Sequence, residues 1–496
     1  MMAGLASATP IVVDVGGGGD FTAIQPALDA AAEGDTVLVM PGTYSGTENT
    51  NLDFAGTNVV LRSEGGASVT TIDCAGRPST RVFDFWDGDA GPSCVIEGLT
   101  LTNGGDFNPG GLVYCWMSSP TFVDCVFSNS VGTYGGALYI CESTSSFTGC
   151  VFTGNTADHG GAAQIELASP TFTDCQFTLN TSTGEAGGVD VLWDAHPTFT
   201  RCTFSQNNAA TDGGGLRCYD GSSPTLTDCD FTANTASHLG AGAFCDSTSS
   251  PVMTDCTFQS NSAGNSGGGA NVRGNSSPSF TGCLFSDNDA LYGGGGVDVE
   301  EASSAFESCE FWDNTAKWGA AAYCYDQTVT FTDCVFLSNS AVGATSDGGA
   351  ATCDSGTFEF TNCTFVGNST ENAGGGSIHC WNADPLLTNC IIAFTDGGPA
   401  VGCENGTESP TLSCCLLYSN PAGSWVGCIA GQGDISGNMT ADPMFCDRPG
   451  GDLTIDAASP CAPDNSAGCG LIGALGIGCD SPVRASTWGA IKSMYR

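Results

Sequence analysis

Residues 169–193 read SPTFTDCQFTLNTSTGEAGGVDVLW, and most of the chain is a set of variations on that stretch. Its cysteine, Cys175, belongs to a column that continues through Cys125, Cys150, Cys202, Cys229, Cys256, Cys283, Cys309, Cys334, Cys363, Cys390 and Cys415, never more than 29 or fewer than 25 residues apart. Two residues on stands Phe, as in Phe152, Phe177 and Phe204. Three further stands Asn, as in Asn155, Asn180 and Asn207, with Ser130 and Thr395 breaking the column. A period near 26, short alternating runs and no helical face indicate one coil of a β-solenoid. Leucine-rich repeats share the length, but their leucine framework is absent.

Each coil is expected to hold three short strands: Pro-Thr-Phe-Thr, Cys-x-Phe, and the run after the glycine pair. Cys and Phe two apart share a strand face and point inward. The phenylalanines then stack coil on coil as core. The asparagines stand at an inward bend, where amides bond to one another and to turn backbone. Pairs such as Gly160-Gly161 and Gly187-Gly188 allow turns that a Cβ would obstruct. Coils stacked about 4.8 Å apart give a rod on the order of 55 Å for the registered repeats.

Composition narrows the function classes. The 496 residues carry 53 Asp and Glu against 11 Lys and Arg, a formal charge of -42. No basic field exists to neutralise phosphates, which excludes a nucleic-acid partner and disfavours an anionic membrane surface. No apolar run approaches the length of a transmembrane helix. The 71 glycines and 28 cysteines are mostly repeat positions.

The grammar Phe152-Thr-Gly-Asn155 followed by Gly160-Gly161-Ala162 resembles right-handed parallel β-helix repeats, including those of polymorphic outer-membrane proteins, whose passengers are surface adhesins. Residues 21–29 (FTAIQPALD) and 34–44 (GDTVLVMPGTY) resemble the opening of pectin-lyase-like proteins, where such a stretch forms a short capping helix and a first strand. Asp442-Pro443-Met-Phe445 and residues 453–460 (LTIDAASP) resemble their last coils. The resemblance covers roughly residues 12–480 and implies an all-β, single-stranded right-handed parallel β-helix. It is poor in implied activity, because the fold hosts lyases, hydrolases and non-catalytic surface proteins.

The expected organisation is a leader or signal-peptide remnant at 1–11, marked by Ala6-Ser7-Ala8; an N-terminal cap and first coils at 12–93; regular repeats at 94–430; last coils and a cysteine-rich cap at 431–480; and a basic, aromatic tail at 481–496, read either as a sorting signal or as a lid on the last coil. A second cysteine row (Cys115, Cys141, Cys218, Cys245, Cys324, Cys353, Cys380, Cys403) precedes the first by nine to twelve residues. Disulfides within a coil and buried thiols are both open for these rows. Cys446, Cys461, Cys469 and Cys479 are expected to staple the C-terminal cap. Zinc is not indicated by their spacing.

One stripe is chemically uneven. After the second cysteine row come Trp116, Glu142, Tyr219, Asp220, Asp246, Tyr325, Asp326, Asp354, Trp381 and Glu404, with Trp193 and Asp194 in a coil lacking that cysteine. Aromatic rings stack on sugar faces and acids bond hydroxyls, so Trp116, Trp193, Tyr219, Tyr325 and Trp381 are the glycan-binding candidates. The best approximation to catalytic chemistry is Arg217 with Asp194, Asp220 and Asp246. It is weak, because stacked acids satisfy a two-carboxylate pattern everywhere. No cofactor is implied. Calcium is the one ion that turns such as Asp287-Asn288-Asp289 could take, although they lack the glycine-aspartate nonapeptide of calcium-binding β-rolls.

The expectation is therefore a non-catalytic, secreted or cell-surface bacterial protein with a structural or adhesive role and a glycan or cell-surface partner. A catalytic β-helix would break its repeat with long loops around a cleft, and these coils vary little. The alternatives are a polysaccharide lyase or glycoside hydrolase, and a self-assembling filament subunit, since uncapped solenoid ends are sheet edges.

Overall fold

The computed structural model describes residues 10–105, 109–372 and 376–479. Ala6-Ser7-Ala8 and the tail at 481–496 lie outside the described residues. The chain divides into two compact units, residues 1–237 and 238–496.

The first unit begins with strand Ile11–Val13 and helix Ile24–Ala30, which buries Ile24, Ala27 and Leu28. The expected capping helix is therefore present. The coils that follow repeat one path. In the coil quoted above, Thr171–Thr173 lies in a first sheet, Gln176–Thr178 in a second, the two-residue strand Thr181–Ser182 in a narrow sheet of its own, and Ala163–Glu166 and Val189–Leu192 are successive members of a third. The short strand was not anticipated. Bends separate the strands at Asp174 and Leu179, both in the left-handed region with φ of 54° and 57°. Within each unit, described strands of adjacent coils pair parallel and in register, as in Phe147 with Phe172 and Phe172 with Phe199.

Register turns sequence columns into stacks. Phe152, Phe177 and Phe204 lie face to face at 4.8 and 4.9 Å, and Phe147, Phe172 and Phe199 form a parallel stack at 4.8 and 5.0 Å. The two stacks meet edge to face, as between Phe172 and Phe177. All of these rings are buried, and each displaces on the order of 150–250 Å² from water. The asparagine column is a continuous ladder. The Asn180 Oδ1 accepts from the Asn155 backbone N–H and side-chain amide, while the Asn155 amide also donates to the Phe127 carbonyl. Each Asn thus satisfies the bend of its neighbour, groups that would be costly to bury unpaired.

The second unit repeats the scheme. Phe285, Phe311, Phe336 and Phe365 stack at 4.6 to 4.9 Å, and Asn288, Asn314, Asn339 and Asn368 continue a ladder of the same geometry. Asn288 therefore serves the ladder, and the flanking Asp287 and Asp289 lie outside it. The unit closes with an antiparallel pair, Phe445–Asp447 against Asp452–Ile455, and an apolar cluster around Ile455, Cys461 and Ile472.

The cysteines correct one expectation. Disulfides join Cys403 to Cys428, Cys414 to Cys469 and Cys446 to Cys479, all near the C-terminus. Apart from Cys403, bridged to Cys428, the repeat rows hold buried thiols. Cys175 donates from Sγ to the Phe147 and Thr173 carbonyls at 3.5 and 3.4 Å, and its neighbours bond likewise. The first row stands at the bend between the first two sheets and the second on the third sheet, with phenylalanine stacks filling the interior. Three of the four cap cysteines are bridged, whereas Cys461 is a buried thiol.

Candidate functional site

Strands of the third sheet send alternate residues inward and outward. In the first unit the inward row is Phe85, Cys115, Ile140, Ile165, Val191 and Cys218, each level with the next. Cys141 is not part of it. It stands level with Trp116 and Glu166 on the outward face, one residue off the position assigned by counting back from the first row.

Two outward rows result. One runs Asp84, Tyr114, Tyr139, Gln164, Asp190, Arg217 and the other Trp86, Trp116, Cys141, Glu166, Leu192, with Tyr219 continuing beside Leu192. The turn before each strand folds over the first of these rows. At Gly160, with φ of 65°, an added Cβ would lie 2.4 Å from the Ala163 carbonyl and 3.3 Å from the Asp190 Cβ. Glycine is what lets the backbone come this close. Polar residues pointing away from the core are consequently buried as well: Gln164, Glu166 and Asp190 are all nearly inaccessible.

These groups answer one another. Arg217 Nη1 donates to both Asp190 oxygens at 3.2 Å, and its guanidinium lies 4.5 Å over the Tyr219 ring. Burial pushes the Asp190 carboxyl up to about 6, against the pull of Arg217 and His159, with Glu185 adding to the rise. His159 Nδ1 stands 2.6 Å from Glu185 Oε2 on the overlying turns. The Tyr139 hydroxyl and the Gln164 amide both donate to Glu166, whose carboxyl is raised by burial and held back by those two bonds. Arg81 pairs with Asp84 at 3.5 Å and covers Tyr114 at 4.9 Å. Next to this network lies an aromatic platform. Trp86, 48% exposed, meets Trp116 edge-on at 5.1 Å and Tyr114 at 5.0 Å.

In the second unit the corresponding rows are Phe244, Asn271, Asp298, Tyr323, Thr352, His379 and Asp246, Arg273, Glu300, Tyr325, Asp354, Trp381. Asn271, Asp298 and His379 are buried, and neither polar atom of any of the three side chains closes a hydrogen bond. Burial, then Glu300, drives the Asp298 carboxyl far above the usual range, with Ser266 and Arg273 opposing. A cavity of about 210 Å³ is lined by Arg273, Glu300, Glu301, Tyr323 and Tyr325.

The sequence candidates distribute unevenly over this face. Trp116, Tyr219, Tyr325 and Trp381 stand on it. Trp193 and Asp194 do not: Leu192 takes the level of Tyr219, while both fall in the following turn with left-handed φ of 53° and 57°. Trp193 is exposed there, and Asp194 lies 3.3 Å from His196. Asp220 occupies the equivalent turn one coil on, its carbonyl accepting from the Asp194 N–H. Arg217 turns instead to Asp190. Asp246 belongs to the second unit and faces Arg273 at 3.9 Å. Trp86, Tyr114, Tyr139, Glu166, Asp190 and Asp298 complete the face and were not among the candidates. Period-two alternation from the inward cysteine row would have found the last five. Among the described residues, no three His, Cys, Asp or Glu side chains converge as a metal site, and no helix is long and apolar enough to cross a membrane.

Fold and face together define a parallel β-solenoid with a chemically varied outer sheet. The chain belongs to the right-handed β-helix family: the family described as "Right handed beta helix region" matches residues 111–264 and 263–392. No curated protein matches the chain. Similar solved structures include pectate lyase Pel9A, at 12% identity over 77% of this chain and 79% of that one with a TM-score of 0.28. Others are a mannuronic acid specific polysaccharide family 6 lyase from human gut microbiota, at 12% identity over 80% and 84% with a TM-score of 0.34, and the catalytic domain of a GH87 alpha-1,3-glucanase in complex with nigerose, at 10% identity over 85% and 70% with a TM-score of 0.26.

Proposed function

We propose that the protein is a secreted or cell-surface β-helix, bacterial on the resemblance of its repeats, that holds glycans along the outer face of its third sheet in a structural or adhesive role. The observation carrying this reading is the Trp86–Trp116–Tyr114 platform, of which Trp86 is half exposed, beside bonded acids and amides. Such rings offer flat apolar surface to a sugar face, and the neighbouring polar groups supply hydrogen bonds to hydroxyls. The three disulfides support an oxidising compartment. Substituting Trp86→Ala together with Trp116→Ala should abolish retardation in affinity gels containing soluble glycans, with the thermal midpoint shifting little because Trp86 is half exposed. Retardation equal to that of the parent protein would remove the platform from the reading.

Glycan cleavage is the second reading, favoured by one observation: Glu166 and Asp190 are buried carboxyls on adjacent coils with raised proton affinity, the condition a general acid requires. It predicts new reducing ends or unsaturated products from a glycan panel, lost in Glu166→Gln.

A further inference from the structure

The outer row of the second unit contains polar groups that its own neighbours do not use. Asn271 and Asp298 are level with each other on adjacent coils, fully buried, and without a hydrogen bond at either end of the Asn271 amide or at either oxygen of Asp298. Buried groups of this kind ordinarily have partners, since leaving them bare costs a few kcal/mol each. Glu300 lies two residues beyond Asp298 on the same strand face. Tyr323 is level with Asp298 on the next coil, and Tyr325 with Glu300. Two carboxyls and two aromatic rings thus form a square, bordered by the cavity described above.

Charge selects among ligands. Arg273 is set against Asp246, Asp298, Glu300, Glu301 and Asp354, and its nearest recorded approach is 3.9 Å to Asp246. A uronate or other anion would add repulsion. A neutral hydroxyl would bond without offsetting the buried acid pair. An ammonium group answers both needs: it carries positive charge and three donors, against three acceptors left open, Asn271 Oδ1 and the two oxygens of Asp298. The Asn271 amide NH₂ remains for a ring hydroxyl, and the tyrosine rings offer cation–π and sugar-face contact. The glycine turn packs directly on this acid, for an added Cβ at Gly293 would stand 2.5 Å from Asp298 Oδ2. Tyr323 lines the cavity and is level with Asp298, and its hydroxyl donates to Asp354 at 3.2 Å.

We propose that Asn271, Asp298 and Glu300, with Tyr323 and Tyr325, form a subsite for the protonated amine of an amino sugar in a glycan. This rests on the glycan-binding reading and names the class of sugar.

The test is calorimetric titration of the full chain at about pH 6, below the amine pKa, with an oligoglucosamine, its N-acetylated counterpart, a cello-oligosaccharide of equal length and an oligolysine of equal charge. The oligoglucosamine should bind at least about tenfold more tightly than the other three. Asp298→Asn, isosteric and relieved of a buried charge, should bring it down to the level of the acetylated oligomer, and Glu300→Gln should do so in part. Thermal melts of both variants verify the fold. Equal binding of the cello-oligosaccharide, or an unchanged Asp298→Asn, overturns the amine subsite while glycan binding stands. Equal binding of oligolysine overturns the sugar assignment in favour of a general cation site. If no oligosaccharide binds, the glycan reading falls with it.

Discussion

In the first unit Arg217 donates to Asp190 and covers Tyr219, Tyr139 and Gln164 donate to Glu166, and Arg81 pairs with Asp84. In the second, the corresponding rows hold Asn271 and Asp298 with no hydrogen bond at either polar atom of either side chain, while His379 lies 3.7 Å from Glu404. Backbone register, glycine turns, asparagine ladder and ring stacks are alike in both. The difference therefore belongs to the outward rows alone. A solenoid coil satisfies its backbone and core through the inward columns, which leaves outward residues to vary without threatening the fold. In the first unit neighbouring donors reach the carboxyls of Asp190 and Glu166, whereas in the second the carboxyl oxygens of Asp298 stay open.

The largest test asks whether the inward columns really are interchangeable. Asn180→Ala and Asn314→Ala should each cost about 3–5 kcal/mol, because each strands a buried carbonyl and backbone N–H of the preceding coil and breaks the ladder. Denaturant unfolding should give matching losses in the two units. A clear mismatch would break the claim that the units differ only outside.

A second test converts the answered row into an unanswered one. The folded carboxyl of Asp190, near 6, lies above its unfolded value of 3.8, so the native state holds that proton more tightly. Stability from this group is complete below about pH 4 and is lost as pH rises through 6. Arg217 limits the loss. Arg217→Met should cost about 2–3 kcal/mol at pH 7 and under about 1 at pH 5, where Asp190 is mostly protonated. A cost independent of pH would show that Arg217 acts through packing on Tyr219 instead.

The smallest effect has the opposite sign. Asp298→Asn should stabilise the fold by about 1–2 kcal/mol at pH 7, since it removes a buried carboxyl that neighbouring Glu300 repels. Asp190→Asn should gain less, because Arg217 already offsets part of the burial. Reversed ranking in urea midpoints would erase the distinction between the rows.

What could be read in the sequence follows the same division. Phe177 and Asn180 were legible because each is one sample of a column repeated at every coil, and the stacking that repeats them is also what demands them. Asp190 and Asp298 were passed over and Arg217 was set against the wrong acids, because outward positions carry a different residue in each coil and show only through alternation from the inward row. Trp86 was missed for another reason: it precedes the first registered repeat, where irregular coils hide its level with Trp116. Trp193 and Asp194 were misplaced by one residue, and on a strand one residue is a change of face. The bridges were hidden too, since Cys414 and Cys428 stand outside the rows that spacing defines.

The thiol rows bear on how such a molecule comes to exist. An unfolded chain with 28 cysteines released among oxidants has an immense number of wrong pairings open to it, whereas the finished coils hold most of those sulfurs where no oxidant reaches them. In an oxidising compartment, the order of events then matters as much as the end state: each coil must be laid on its predecessor faster than its sulfur finds another. A repeat whose contacts run only to adjacent coils suits that race, because every newly wound turn shelters its own cysteine without waiting for the rest of the chain.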